Sequence, residues 1–327
     1  MIKRSFILFI LVSLSFLCNA QQDAQYSQYM FNGIYINPAY AGYKEQLNIH
    51  SFYRNQWTGI TGSPKSMSLA VDAIANDGNV GLAFQVSSDR LGAESSVSAY
   101  GSYAYRLRVG NSDNSRLAFG LGLGVMQQSL DAGRLNARDA DDSYILAVGN
   151  ESVIVPDARA GVYYSDDRFY AGFSADNLIA QYVINKKNLS VYFQTPKTHF
   201  YLTAGMLLPI NEDIQVKPSF LLKDDRGGPT SLDLNAFVLF ANRFWVGASY
   251  RTAVKLYDKS YLQVDLQKTN SVVGMVDFFV TNNIRVGYAY DQTLSRLSGY
   301  SGGSHEISVG VTIRPTEIIR MLTPRYF

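Results

Sequence analysis

Cysteine is almost absent from this 327-residue chain, with Cys18 its only example. Cys18 closes an N-terminal stretch that reads as an export signal. Lys3 and Arg4 give a basic start, Phe6 to Leu17 an apolar run, and Cys18-Asn19-Ala20 a small-x-small cleavage site. Cleavage after Ala20 leaves Gln21 first and removes any disulfide, thiol nucleophile or thiolate metal site. An acylated lipoprotein is the rival use of Cys18, but the residue before an acylated cysteine is small, and Leu17 is not. Charge is scarce too: 17% of residues are charged, and without Lys3 and Arg4 the chain has 27 basic against 27 acidic side chains. A neutral chain lacks the basic surface a nucleic-acid partner needs. Histidine occurs only at His50, His199 and His305, in neither a zinc-enzyme spacing nor a triad pattern. The Gly120, Gly122 and Gly124 series lacks dinucleotide-fingerprint spacing, and no paired carboxylates mark a cleft. No enzyme, cofactor or metal is expected. Long apolar runs are missing as well. After residue 20 no stretch approaches the length of a transmembrane helix.

What the chain has is aromatic residues, 23 Tyr and 18 Phe, and a period of two. In Asn283 to Asp291, Ile284, Val286, Tyr288 and Tyr290 share one face, and Arg285, Gly287, Ala289 and Asp291 share the other. Arg116 to Met126 sets Leu117, Phe119, Leu121, Leu123 and Val125 against Ala118, Gly120, Gly122 and Gly124. Glu306 to Arg314 repeats the pattern. A water-facing strand would rarely carry glycine at its middle, yet Gly161, Gly172, Gly205, Gly247 and Gly287 sit there. In a barrel lumen glycine leaves room for contents. The period predicts strands near 46–55, 66–74, 78–88, 94–109, 115–129, 157–165, 168–176, 198–210, 213–223, 230–240, 243–251, 271–280, 283–291 and 304–314. Tight polar turns such as Asp77-Gly78 and Asp166-Asp167 alternate with longer links such as Trp57 to Lys65 and Asp131 to Pro156. Short turns at one end and long loops at the other predict an all-β fold, a transmembrane antiparallel barrel of about 14 strands in the outer membrane, with both termini periplasmic.

The domains follow: 1–20 signal peptide, 21–45 an N-terminal periplasmic segment packing into the barrel mouth as a plug, 46–314 the barrel, and 315–327 a periplasmic tail. Pro315 stops the last strand, and Thr316 to Met321 is expected to form a helical turn. In the longest loop Asp139, Asp141 and Asp142 lack the full calcium-loop pattern and read as a solvated acidic stretch. Tyr261 to Leu266 alternates and is expected to extend a strand above the membrane.

Three blocks, "QYSQYMFNGIYINPAYAG", "FYRNQWTGITGSPKS" and "SGGSHEISVGVTI", resemble the PorP/SprF family of type IX secretion system outer-membrane proteins across essentially the whole mature chain. The residues that carry it are Asn37, Pro38, Ala39, Gly42, Arg54, Gln56, Trp57, Gly59, Gly62 and Pro64, with His305 and Glu306 near the C-terminus. The resemblance implies a non-enzymatic export accessory whose partners are periplasmic secretion-ring lipoproteins or a secreted adhesin or other cargo, with a link to gliding motility in some relatives. On physical grounds Trp57 suits an aromatic girdle, Arg54 a hydrogen bond in the lumen, the Asn-Pro-Ala knot a tight turn, and His305 a hydrogen bond at the membrane interface. Direct partner contact is the functional use of the same residues, since Tyr and Trp contribute most to protein interfaces. The alternative is a plugged transporter for small or hydrophobic solutes. The inward charges Arg106, Arg159, Asp176, Lys217, Asp233 and Arg285 pair across a closed lumen as readily as they line a pore. A soluble all-β surface protein has no use for outward belts of Leu, Val and Phe.

Overall fold

Side chains that alternate between faces every residue can satisfy their backbone only by pairing edge to edge, and in lipid the pairing must close on itself. The computed structural model, which describes residues 26–110, 112, 114–135, 150–186, 193, 195–259 and 270–313, does this with fourteen antiparallel strands. They are β1 (Leu47–Asn55), β2 (Lys65–Ala75), β3 (Val80–Leu91), β4 (Glu94–Arg108), β5 (Arg116–Leu130), β6 (Glu151–Ser165) and β7 (Phe169–Asp176). After them come β8 (His199–Met206), β9 (Ile214–Asp225), β10 (Thr230–Phe240), β11 (Phe244–Val254), β12 (Ser271–Phe279), β13 (Ile284–Thr293) and β14 (Ser304–Ile313). Each pairs with the next, and β1 returns to β14 in a continuous register from Leu47↔Ile313 to Asn55↔His305. β8 is interrupted at Leu207 and resumes as Leu208–Pro209 without a change of register against β9.

The expected strands are present, with two corrections. The sixth begins at Glu151, not 157, so the long loop ends before Pro156. Pro156 cannot donate to a ladder, but above Ala160 β6 pairs with β5 alone, and a proline is tolerated on such an edge. The eleventh runs on to Val254. Asp139, Asp141 and Asp142, Tyr261 to Leu266, the signal stretch and the C-terminal tail lie outside the described residues.

The outward face is apolar. On β5, Phe119, Leu121, Leu123 and Val125 are each 46–59% exposed, and Val272, Phe278, Ile307 and Val309 repeat this on β12 and β14. A belt of that kind on every side fits hydrocarbon and would aggregate in water. The inward face carries the polar and small residues, among them Asn48, His50, Arg54, Asp72, Ser102, Arg106, Arg159, Lys217, Arg251 and Glu306. At the loop end, α1 (Ala180–Lys186) packs Ala180 and Ile184 on Val155 against the inner wall. Asp157 fixes it by accepting from the Ile179 and Ala180 N–H groups, both at 3.0 Å.

Candidate functional site: the chain inside the barrel

A ring of fourteen strands encloses more space than its inward side chains fill. Here residues 26–46 occupy it. They make three 3₁₀ turns, Tyr29–Phe31, Gly33–Tyr35 and Pro38–Tyr40. Asn32 and Asn37 cap the second and third, Asn37 Oδ1 accepting from the Ala39 N–H at 2.9 Å. Pro38 suits the first position of the turn it opens because its missing N–H would have no partner there. Gly42, at φ +70°, turns the chain toward β1. This is the Asn-Pro-Ala knot that the sequence singles out, and its residues are buried.

The segment touches strands all round the ring. Asn37 Nδ2 donates to the carbonyls of Val162, at 3.0 Å, and Phe173, at 3.4 Å, on β6 and β7. The Ser174 hydroxyl donates to the Ile36 carbonyl. Arg159 donates to the Tyr35 carbonyl at 2.8 Å and pairs with Asp176 at 2.8 Å. Lys217 on β9 donates to the Met30 carbonyl at 3.0 Å, Asn235 on β10 to the Tyr29 hydroxyl at 2.8 Å, and Arg106 on β4 pairs with Glu45 at 2.8 Å. The Arg285 guanidinium lies 4.8 Å above the Phe31 ring, which also meets Phe237 and Trp245 edge-on. Inward glycines receive the backbone of the segment: Gly81 faces Ala41, and Gly120 faces Pro38 and Ala39. Asn37→Ala is expected to lose a cap and two wall hydrogen bonds, about 1–2 kcal/mol, seen as faster amide exchange across residues 29–43 with exchange in β6 unchanged.

The segment begins at the β1–β14 seam, where Arg54 and Glu306 are register partners. Glu306 accepts the N–H groups of Ser27, at 2.8 Å, and Gln28, at 2.9 Å. Arg54 reaches Glu306 at 3.2 Å, Asp291 at 2.8 Å and the Ser27 hydroxyl at 2.6 Å. Asp291 leads on to Arg251, at 3.4 Å, and Arg251 to Asp233, at 2.9 Å. This chain of five charges runs near the loop end from β10 over β11, β13 and β14 and across the seam to β1, passing β12 without a member on it. Charge alternates along it, so each carboxylate has a cation and each cation a carboxylate.

The structure thus brings Asn37, Pro38, Ala39, Gly42, Arg54 and Glu306 together inside the ring. The other motif residues stand apart. Gln56 donates its N–H to the Pro64 carbonyl at 2.9 Å, bracketing the turn after β1. Trp57 sits in that turn at φ +53°, its N–H on the Ser304 hydroxyl, and not on a strand where a girdle residue would be. Gly59 and Gly62 take φ +94° and +75° there. His305 faces outward, 2.7 Å from the Tyr288 hydroxyl and beside Tyr290, so it lies across the wall from Glu306. Arg251, in that chain of charges, and Asp277, whose carboxylate lies 3.5 Å from Arg285 Nε, escaped the sequence reading as site residues. Their inward parity was the available signal, but parity does not say which opposite charge each will meet.

Among the described residues no group of His, Cys, Asp or Glu has metal-site geometry. Solved structures show the fold alone. A CymD monoaromatic hydrocarbon channel matches with TM-score 0.51 and 11% identity, over 88% of this chain and 94% of that one. Omp33 of Acinetobacter baumannii matches with TM-score 0.45 and 7% identity, over 83% and 100%. A Pseudomonas aeruginosa FadL homologue gives TM-score 0.44 and 9% identity, over 87% and 93%. No curated protein is significantly similar in sequence. The family model of the type IX secretion system membrane protein PorP/SprF matches residues 18–311. The barrel, its outward apolar belt and this match agree, and the chain belongs to the PorP/SprF family of type IX secretion outer-membrane barrels.

Proposed function

We propose that the barrel is a non-enzymatic holder in type IX secretion. It binds the periplasmic lipoproteins of the secretion ring, or a secreted adhesin or other cargo, for export and surface attachment, with gliding motility the use in some bacteria. The observation that carries this reading is the lumen occupied by the chain's own residues 26–46. Tied to the wall by Glu306, Arg54, Arg159, Lys217 and Arg106, that segment acts as a plug and leaves the two ends of the barrel as its contact surfaces. Residues 1–20 serve as the export signal, and both termini face the periplasm. Membership in a secretion-system family supports protein partners over solutes.

Affinity purification of the tagged barrel from mildly solubilised outer membranes tests the proposal. Co-purification of ring lipoproteins or of a large secreted protein is expected. A barrel recovered alone that conducts in planar bilayers would overturn it in favour of a transporter.

A further inference from the structure

At the loop end, a cleft of about 410 Å³ lies between the turn after β1, Gly92 and Arg134. Among the described residues three cations line it, Lys65, Arg90 and Arg134, and no carboxylate does. The Gly92 N–H donates to the Gly62 carbonyl at 2.9 Å and joins the two loops that form its walls. Lys65 and Arg90 are direct cross-strand partners on the outward face of β2 and β3. Like charges placed opposite one another repel, and among the described residues neither has an ion pair with an acidic side chain. Arg134 shares Nε with Asp131 at 3.0 Å, and both are half exposed. An anion between these cations would relieve the repulsion.

The height of the cleft suggests its occupant. Met67 and Leu69, 56% and 50% exposed, follow Lys65 on the outward face of β2, so the cations stand just above the apolar belt. Below them, across β2 to β5, is an outward groove of about 530 Å³ lined by Val71, Leu82, Phe84, Tyr103 and Leu123. Its floor is Gly101, between Phe84 and Leu123 in one register row, where an added Cβ would meet only the Leu123 carbonyl oxygen, at 4.0 Å. Six residues separate the Lys65 row from the Val71 row, about 20 Å along the strand, or about 15 Å in depth for a strand tilted by ~40°. That is half of a ~30 Å hydrocarbon core, the depth of one leaflet.

We infer that cleft and groove form one lipid site, with a phosphate headgroup held by Lys65, Arg90 and Arg134 and an acyl chain lying in the Gly101 notch. Arginine forks onto phosphate oxygens, and the lysine supplies a point charge. Because long loops face the cell exterior in such barrels, the ligand is a phosphorylated glycolipid of the outer leaflet. The inference rests on that orientation.

Lipid extracted from barrels purified in mild detergent and quantified by mass spectrometry tests it. Wild type is expected to retain the phosphoglycolipid. The Lys65→Gln/Arg90→Gln variant is expected to lose it about tenfold or more, the worth of one charge-assisted hydrogen bond. Gly101→Leu, which fills the notch and leaves the cations in place, is expected to weaken retention as well. Unchanged heat-dependent gel mobility certifies that each variant is folded. Delipidated barrel is titrated with inorganic phosphate in parallel. Phosphate binding that the charge variant abolishes, with lipid equal in wild type and both variants, would overturn the lipid and leave a free-phosphate site. Equal lipid and no phosphate binding would overturn the site entirely. Ser298→Cys labelling on intact cells by an impermeant maleimide separates the premise, because no other cysteine is expected in the mature chain. Failure to label would overturn the orientation, and labelling without selective lipid would overturn the site alone.

Discussion

Arg54→Ala is expected to lower the unfolding free energy by about 3–5 kcal/mol, the cost of breaking a buried ion pair from one side. Arg54 is 1% exposed and holds two carboxylates that would otherwise face each other, Asp291 at 2.8 Å and Glu306 at 3.2 Å. Without it Asp291 keeps Arg251 at 3.4 Å, a longer contact that Arg251 shares with Asp233. Glu306 keeps the N–H groups of Ser27 and Gln28 but loses its cation. Arg54→Lys should recover only part of the loss, since an ammonium cannot fork between two acids and the Ser27 hydroxyl. Glu306→Gln should unseat Ser27 and Gln28, because an amide nitrogen replaces one of the two acceptor oxygens they need. The double variant Arg54→Ala/Glu306→Gln should cost less than the sum of the two, as expected for partners in one network. Urea unfolding in lipid vesicles measures all four. A loss below about 1 kcal/mol for Arg54→Ala would mean that the network behaves like a hydrated surface pair.

Replacing Gly81 and Gly120 together by valine is expected to empty the barrel without breaking its wall. A Cβ at Gly81 would overlap the Ala41 carbonyl, and one at Gly120 would overlap the backbone of Pro38 and Ala39. Neither glycine has positive φ, and valine suits a strand, so the wall itself has no reason to object. The overlap falls on the segment, which cannot shift as a flexible side chain would. Overpacking of about 1–3 kcal/mol per site raises the open population about tenfold or more. The readouts are protease cleavage within residues 29–43 and single-channel conductance, both expected to rise, with heat-dependent gel mobility retained. Gly274→Val is the control, since Gly274 has nothing within 4 Å of the added carbon. Conductance that stays at the wild-type level with the segment cleaved would show that other parts of the chain close the lumen.

Much of the architecture was legible in the sequence because a strand buried on one face writes its parity into every second residue. β5, β13 and β14 show it most plainly, with Leu121, Tyr288 and Val309 outward and Gly120, Arg285 and Glu306 inward. The family blocks around Asn37, Arg54 and His305 could be read in the same way, one residue at a time. The start of β6 could not, because Pro156 reads as a strand stop. Only the shortness of β7 shows that its missing N–H has no partner to lose.

The sequence by itself determined a closed antiparallel barrel, the set of residues facing its interior and the local turn at Asn37-Pro38-Ala39. Period, turn chemistry and capping are all short-range, and each can be judged within about ten residues. The tertiary structure decided which wall residues hold the N-terminal segment inside the ring and which charges meet there. Arg54 and Glu306 are 252 residues apart and become neighbours only because β1 closes on β14. His305 and Glu306, adjacent in sequence, end on opposite sides of the wall by the same strand geometry. A buried charge finds its partner through the closure of the whole ring, and no local pattern encodes that distance.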